Sequence, residues 1–284
     1  MAEPRVGSAP YLLNRAGGPL AGQPLGIAHR GLPRNGEENT LLAFEHAVGL
    51  GYAYLELDIR TTADGHVVVF HDEDLDALTD ARGRVGEKTL AEIRRITAGG
   101  EPLVTLDELF HRAALAWPRA RFNIDIKDAG GAEPLARLIH RYRFEGRVLV
   151  TSFSDERRAA CVAEYERLSG RRSLAQSPGM GLVAAFVLAG PLGLSSALRG
   201  RLEGVVAFQV PERHWGIPVV TRGFVRRAHA LGIQVHVWTV NERERMERLL
   251  GLGVDGIVTD AGDTLADVLA ERGAWPQSTG TTAA

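Results

Sequence analysis

Two short segments place several polar groups on one side of an extended chain. In Tyr54-Leu55-Glu56-Leu57-Asp58-Ile59-Arg60, the period of two along a strand sends Leu55, Leu57 and Ile59 to one face. Tyr54, Glu56, Asp58 and Arg60 take the other. Phe122-Asn123-Ile124-Asp125-Ile126-Lys127 repeats the design, with Asn123, Asp125 and Lys127 sharing a face. Carboxylates held close together without compensation raise each other's pKa and resist ionisation. A divalent cation removes that conflict. The plainer reading of the first segment is a polar strand edge facing solvent, and of Lys127 a routine ion pair. A second buried strand with three inward polar groups weighs against both, because burying them is costly unless they bind something. Lys127 also stands out by composition, since only two of the 33 basic side chains are lysine.

Two histidines join this set. His29 follows Leu25-Gly26-Ile27-Ala28, and His71 follows Val67-Val68-Val69-Phe70. Histidine is the usual side chain for moving protons near neutral pH. Arg30, next to His29, offers a planar fork suited to phosphate oxygens. Trp238, in Trp238-Thr239-Val240-Asn241, could wall a pocket or be plain core. His46, His111, His140 and His229 fall in helical patterns, and His236 stays undecided. No Gly-x-Ser-x-Gly elbow is present. Cys161, in Ala159-Ala160-Cys161-Val162, reads as core and not as a nucleophile.

Elements that could position these groups alternate along the chain. Strand patterns fall at 25–29, 54–60, 121–127, 148–153, 173–177, 205–210, 234–240 and 256–260, with helix patterns between them. Asn39-Thr40, Thr89, Thr105, Ser154-Asp155 and Asn241-Glu242 are the expected helix starts, Thr89 and Thr105 as capping boxes. Gly51, Gly170, Gly232 and Gly253 are the expected stops. Eight strand–helix units in about 250 residues fit a (β/α)8 TIM barrel. The open-sheet alternative would carry a glycine-rich phosphate turn after its first strand. Here that position reads His29-Arg30-Gly31. Residues 61–105 are too many for one crossover. They form a small insertion after the second strand, with an extra strand at His66–His71 behind the turn signal Asp64-Gly65.

Residues 25–273 then form the barrel, residues 1–24 a surface-running N-terminal segment, and residues 274–284 a mobile C-terminal tail. A net charge of −2 argues against broad nucleic-acid binding. The single cysteine excludes intramolecular disulfides and cysteine-based structural zinc, and suits a cytoplasmic location. Ser173–Leu198 carries no charge, but its glycines and serines leave only Leu182–Ala189 cleanly apolar. That is too short to span a bilayer, so no stable membrane insertion is expected.

His29-Arg30-Gly31, Glu38-Asn39-Thr40, Glu56-x-Asp58, His71-Asp72, Asn123-Ile124-Asp125-Ile126-Lys127 and Trp238-Thr239-Val240-Asn241 occur in the order seen in glycerophosphodiester phosphodiesterases. The chain resembles that family from about Leu25 to Leu269. The resemblance implies a TIM barrel that hydrolyses a small-molecule glycerophosphodiester to sn-glycerol 3-phosphate and an alcohol with one divalent cation, Ca2+ or Mg2+, or Mn2+. It implies His29 and His71 as acid/base pair, Glu56, Asp58 and Asp125 as metal ligands, and Arg30 and Lys127 as phosphate contacts. Glu38 would support the site near His29, and Trp238 would wall the substrate pocket. Two positions depart from the family pattern. Glu37 replaces a common Pro and is expected to add a charge at the rim. Asp125 replaces a common Glu and is one methylene shorter, which bears on metal preference. His29 is favoured as base and His71 as acid, although the sequence does not assign them. It also leaves open whether water attacks directly or a glycerol hydroxyl first closes a cyclic phosphate. Two alternatives are a related phosphodiesterase acting on lysophospholipids or phosphoinositides, and a barrel kept for binding only.

Overall fold

The computed structural model describes residues 9–171, 174–191 and 193–278. The eight barrel strands are β1 (Leu25–Ala28), β2 (Tyr54–Thr61), β4 (Arg121–Ile126), β5 (Val148–Thr151), β6 (Ala175–Gln176), β7 (Ala207–Pro211), β8 (Gln234–Trp238) and β9 (Gly256–Thr259). β3 (Val67–Val69) pairs antiparallel with β2 and lies outside the barrel. The others are parallel neighbours in the order β6-β5-β4-β2-β1-β9-β8-β7. A single parallel bridge, Gln176 to Val205, brings the two ends together. The result is a nearly closed TIM barrel, as the strand–helix rhythm predicts.

The helices that return between strands are α1 (Leu41–Leu50), α3 (Leu106–Ala116), α4 (Ala132–Tyr142), α5 (Asp155–Ser169), α6 (Met180–Ala189), α7 (Arg222–Ala230), α8 (Arg243–Gly251) and α9 (Gly262–Ala270), with a short α2 (Leu90–Ile93) in the insertion. Thr89 and Thr105 form capping boxes with Glu92 and Glu108. Thr40 and Ser154 cap α1 and α5, and Gly51 and Gly170 stop them in left-handed conformation. α8 starts at the expected Asn241-Glu242, with Glu242 in the cap position and no side-chain bond.

The apolar faces of β2 and β4 pack outward on the helices. Leu55, Leu57, Ile59, Phe122, Ile124 and Ile126 are all fully buried there. Full burial of such side chains contributes about 1.5–3 kcal/mol each. Their alternates fill the barrel in register, with Glu56 beside Asn123 and Asp58 beside Asp125. Cys161 is buried in α5. In the charge-free stretch, Leu182, Val183 and Phe186 of α6 are buried, and Ser173 lies outside the described residues. No helix among those described is long and apolar enough to cross a membrane.

Both flanking segments are built in more firmly than their composition suggests. Tyr11, Leu12, Leu13 and Leu20 are buried with Leu25, Ile27 and Tyr54, so residues 9–24 plug one end of the barrel instead of running over its surface. Tyr54 Oη accepts the Leu13 amide at 2.7 Å and donates to the Tyr11 carbonyl at 2.9 Å. Gln277 is fully buried, not part of a mobile tail. It accepts the Gly26 amide at 3.0 Å and donates to the Pro24 carbonyl at 2.8 Å. Residues 279–284 lie outside those described.

Candidate active site

The C-terminal ends of the strands surround a cavity of about 180 Å³. His29, Arg30, Glu56, Asp58, His71, Asp125, Lys127 and Trp238 all line it, so eight of the nine expected residues converge. Glu38, the ninth, reaches the site through Arg30, whose Nη1 donates to its Oε1 at 2.8 Å.

The turn after β1 explains His29-Arg30-Gly31. Arg30 adopts a left-handed conformation, and its amide donates to Glu56 Oε2 at 3.1 Å. Gly31 follows with φ +83°, where a Cβ would meet that of Ala43 at 2.9 Å. The segment Glu38-Asn39-Thr40 clasps this turn. The Asn39 amide holds the Arg30 carbonyl at 2.9 Å, and Asn39 Nδ2 donates to Asp58 Oδ2 at 3.2 Å. Glu37 is not a rim charge. It is buried, and accepts the Arg34 and Asn35 amides at 2.8 and 2.6 Å. Burial would raise its pKa, and these amides outweigh that and lower it.

Asp58, 2% exposed, lies between two cations. Lys127 Nζ is 2.9 Å from its Oδ1, and Arg30 Nε is 3.3 Å from its Oδ2. Lys127 Nζ also sits 2.7 Å from Asp125 Oδ2. Burial pushes Asp58 up, but Lys127, His71 and Arg30 together hold it below the usual carboxylate range. Burial dominates at Asp125 and raises it despite Lys127. Burial and then the Asp58 charge push Glu56 up to about 7. Against burial, Asp58 and Asp125 raise the Lys127 ammonium further.

Each histidine is held at Nδ1 by a carboxylate. His29 pairs with Asp260 Oδ1 at 2.5 Å, and His71 with Asp72 Oδ1 at 2.6 Å. A carboxylate accepts, so Nδ1 carries the proton and Nε2 is left for chemistry. Burial alone would depress His29. The Asp260 hydrogen bond and the Glu56 charge outweigh it and raise the pKa.

Asp260 is the main residue that strand reading missed. The available signal was its position just past a barrel strand's C-terminal end, where barrel enzymes carry their chemistry. Asn241, beside the cap position of α8, donates from Nδ2 to Asp260 Oδ2 at 3.1 Å and accepts the Asp260 amide at 2.9 Å. Phe153, 59% exposed, was also missed and stacks on Trp238 with centroids 6.0 Å apart. His236 is fully buried with Nε2 on Gln234 Oε1 at 3.1 Å, and does not line the cavity.

The donor set suits a hard divalent cation. Glu56, Asp58 and Asp125 offer oxygens, and Asp125 Oδ1 and Asn123 Oδ1 are buried without a partner. The charge strain at Glu56 is of the kind a cation relieves. As the side chains stand, no three His, Cys, Asp or Glu groups among the described residues converge as a ready metal cluster. Lys127 stands between Asp58 and Asp125.

The sequence model of the glycerophosphoryl diester phosphodiesterase family matches residues 29–264. The chain belongs to that family. Its residues from His29 to the final strand–helix unit are thus those of a glycerophosphoryl diester phosphodiesterase, and it is a phosphodiester hydrolase. It is 39% identical over 260 residues to a Mycobacterium tuberculosis protein named "Probable glycerophosphodiester phosphodiesterase 2", covering 89% of this chain and 94% of that one. It is 33% identical to a glycerophosphodiester phosphodiesterase of Caldanaerobacter subterraneus, over 87% of this chain and 98% of that one. Its fold matches an Oleispira antarctica phosphodiesterase solved with the product sn-glycerol-3-phosphate, at a TM-score of 0.69 and 21% identity, covering 89% and 99% of the two chains. The family is generally dependent on a divalent metal.

Proposed function

We propose that this glycerophosphodiester phosphodiesterase releases sn-glycerol 3-phosphate and an alcohol, with His29 as base and His71 as acid. One observation carries the reading. Two histidines, each oriented by a carboxylate at Nδ1, share one cavity with three carboxylates, an arginine and a lysine.

Glu56, Asp58 and Asp125 would hold the divalent cation, which when bound supplies Lewis-acid charge to the phosphodiester. Arg30 and Lys127 bring positive charge to the non-bridging oxygens, where negative charge grows in the transition state. Glu38 and Asn39 keep the Arg30 turn in place. His29 Nε2 takes the proton of the attacking oxygen as it bonds to phosphorus, either water directly or a glycerol hydroxyl whose cyclic phosphate water then opens, and Asp260 stabilises the imidazolium that forms. His71 Nε2 gives a proton to the departing alkoxide. Assistance of this kind is worth about 10²–10⁴-fold in rate. Trp238 and Phe153 wall the cavity on its apolar side.

The test is hydrolysis of glycerophosphocholine by purified protein, coupled to detection of glycerol 3-phosphate. EDTA should abolish release, and added Ca2+, Mg2+ or Mn2+ should restore it. Undiminished release in EDTA would remove the cation from the reading. Wild-type rates in both His29→Ala and His71→Ala would remove the acid/base pair.

A second reading, action on lysophospholipids, is favoured by Pro178, Met180 and Val183 beside Phe153 in the cavity wall. A higher kcat/KM on lysophosphatidylcholine than on glycerophosphocholine would select it.

A further inference from the structure

The connection from β7 to α7 carries a small hairpin that the reaction does not use. Arg213–His214 pairs antiparallel with Ile217–Pro218, so Trp215 and Gly216 form the turn. Both have positive φ, +47° and +78°. A two-residue turn of that kind favours Asn-Gly, because asparagine tolerates the left-handed region far better than a bulky side chain does. The chain places tryptophan there instead. Trp215 is 92% exposed and Ile217 67%, so neither is put there by core packing. The indole stacks on the exposed His214 ring, with centroids 4.8 Å apart. A strained aromatic held out in solvent at a hairpin tip is not explained by folding, and it points to a partner.

Barrel order sets what surrounds the hairpin. Phe153, Met180, Trp215 with Ile217, and Trp238 lie at or just past the ends of β5, β6, β7 and β8. Those strands are consecutive around the barrel, so one half of the mouth has an apolar rim. The acidic run Asp72, Glu73, Asp74 and Asp76 belongs to the insertion after β2. β2 is four strands from β7 in either direction, which puts that run on the opposite side of the mouth. The charge of the hairpin is positive. Arg213 and Arg222 are exposed and have no carboxylate partner among the described residues. Arg213 directs its guanidinium to the Gly216 carbonyl, at 2.6 and 3.1 Å, which leaves its charge uncompensated. Glu212, the one carboxylate of the connection, is held by Arg245 and Arg248 at 3.0 and 2.5 Å. An exposed indole beside free guanidinium charge matches a water–lipid boundary. The ring settles at headgroup level, and anionic headgroups attract the arginines.

We propose that the Arg213–Pro218 hairpin docks this rim on an anionic phospholipid surface. Trp215 and Ile217 seat at headgroup level, and Arg213 and Arg222 lie against the lipid phosphates. No helix enters the bilayer. The cavity mouth then faces the lipid at a tilt, with the acidic insertion turned away from the negative surface.

The test is co-sedimentation of the full chain with vesicles, either phosphatidylcholine alone or phosphatidylcholine with about 30% phosphatidylglycerol. The wild type should bind the anionic vesicles about tenfold more tightly than the neutral ones. High salt should remove that margin by screening the arginines. Trp215→Asn supplies the residue that the turn prefers, so it should melt no lower than the wild type and yet lose vesicle binding. Arg213→Gln with Arg222→Gln should bind both vesicles alike. Turnover of soluble glycerophosphocholine should stay at the wild-type rate in both variants, since none of these groups lines the cavity. No vesicle binding by the wild type, or undiminished binding by folded Trp215→Asn, overturns the docking surface. A wild-type dimer that Trp215→Asn turns into a monomer, with no vesicle bound, overturns it as well and assigns the hairpin to a second copy of the chain. Vesicle binding is read without turnover, so this proposal and the hydrolase reading fail separately.

Discussion

His29 Nδ1 lies 2.5 Å from Asp260 Oδ1, so one hydrogen bond joins the turn after the first barrel strand to the residue after the last. Asn241 holds Asp260 in turn, through two hydrogen bonds of 2.9 and 3.1 Å. The imidazole is therefore aimed by a relay from a third loop. Asp260→Ala should lower kcat by about 10²-fold, the low end of what a positioned acid or base supplies. KM and melting temperature should change little, since the side chain is 42% exposed. Steady-state kinetics with a thermal melt check this. A kcat within twofold of wild type would show that Asp260 does not orient the base.

Lys127 separates Asp58 from Asp125, at 2.9 and 2.7 Å. Removing its charge leaves both carboxylates facing each other and more avid for a divalent cation. Lys127→Met should therefore bind Ca2+ or Mg2+ more tightly in calorimetric titration, while turnover falls by about 10²-fold or more. Weaker cation binding in a folded variant would contradict this balance of charge.

At the closed end of the barrel, Tyr54 Oη pins the N-terminal plug through the Leu13 amide and the Tyr11 carbonyl. Tyr54→Phe leaves both buried groups without their partner, at a cost of about 1–3 kcal/mol. Urea unfolding should show that loss, and kcat should stay unchanged because the site is at the other end. Unchanged stability would mean that the plug is held by packing alone.

Burial pushes His236 down to about 4, with only the Asp255 charge opposing. The unfolded value is near 6.5. Between these values the unfolded chain binds more protons, so stability rises with pH. The neutral imidazole's contribution is complete above about 6.5 and is lost as pH falls toward 4, on the order of 3 kcal/mol in all. His229 has the opposite sign, because its hydrogen bond to Asp255 outweighs partial burial and raises it. Its contribution is present below 6.5 and lost as pH rises through its folded value. Urea unfolding from pH 4 to 8 should show the acid slope in wild type and a flatter one in His236→Gln. The same slope in both would place the acid sensitivity elsewhere.

Much of the site was legible because its parts are local. The alternation in β2 and β4 sends Glu56, Asp58, Asn123 and Asp125 inward whatever the strands' neighbours are, since a strand's two faces follow from backbone geometry. His29-Arg30-Gly31 reads as a turn because Gly31 is the residue that tolerates its conformation. Where the reading failed, the partner was distant or was turned back by the fold of a loop. Asn241 marks a helix start in sequence, but nothing near it shows that its side chain holds Asp260, 19 residues on. Glu37 reads as a surface charge until the amides of Arg34 and Asn35 are seen folded back onto it. Gln277 reads as tail because nothing near it in sequence shows the Gly26 amide, 251 residues away, that it satisfies.

The sequence by itself determined the barrel, its inward carboxylates, the two histidines and the family. These depend on period, turn chemistry and motif order, all of which act over a few residues at a time. Only the tertiary structure decided which carboxylate aims His29, that Lys127 lies between Asp58 and Asp125, and that the insertion brings His71 to the cavity that holds His29. Those relations are set by barrel closure and strand register, which bring together side chains up to 231 residues apart, and no local preference of the chain encodes such a distance.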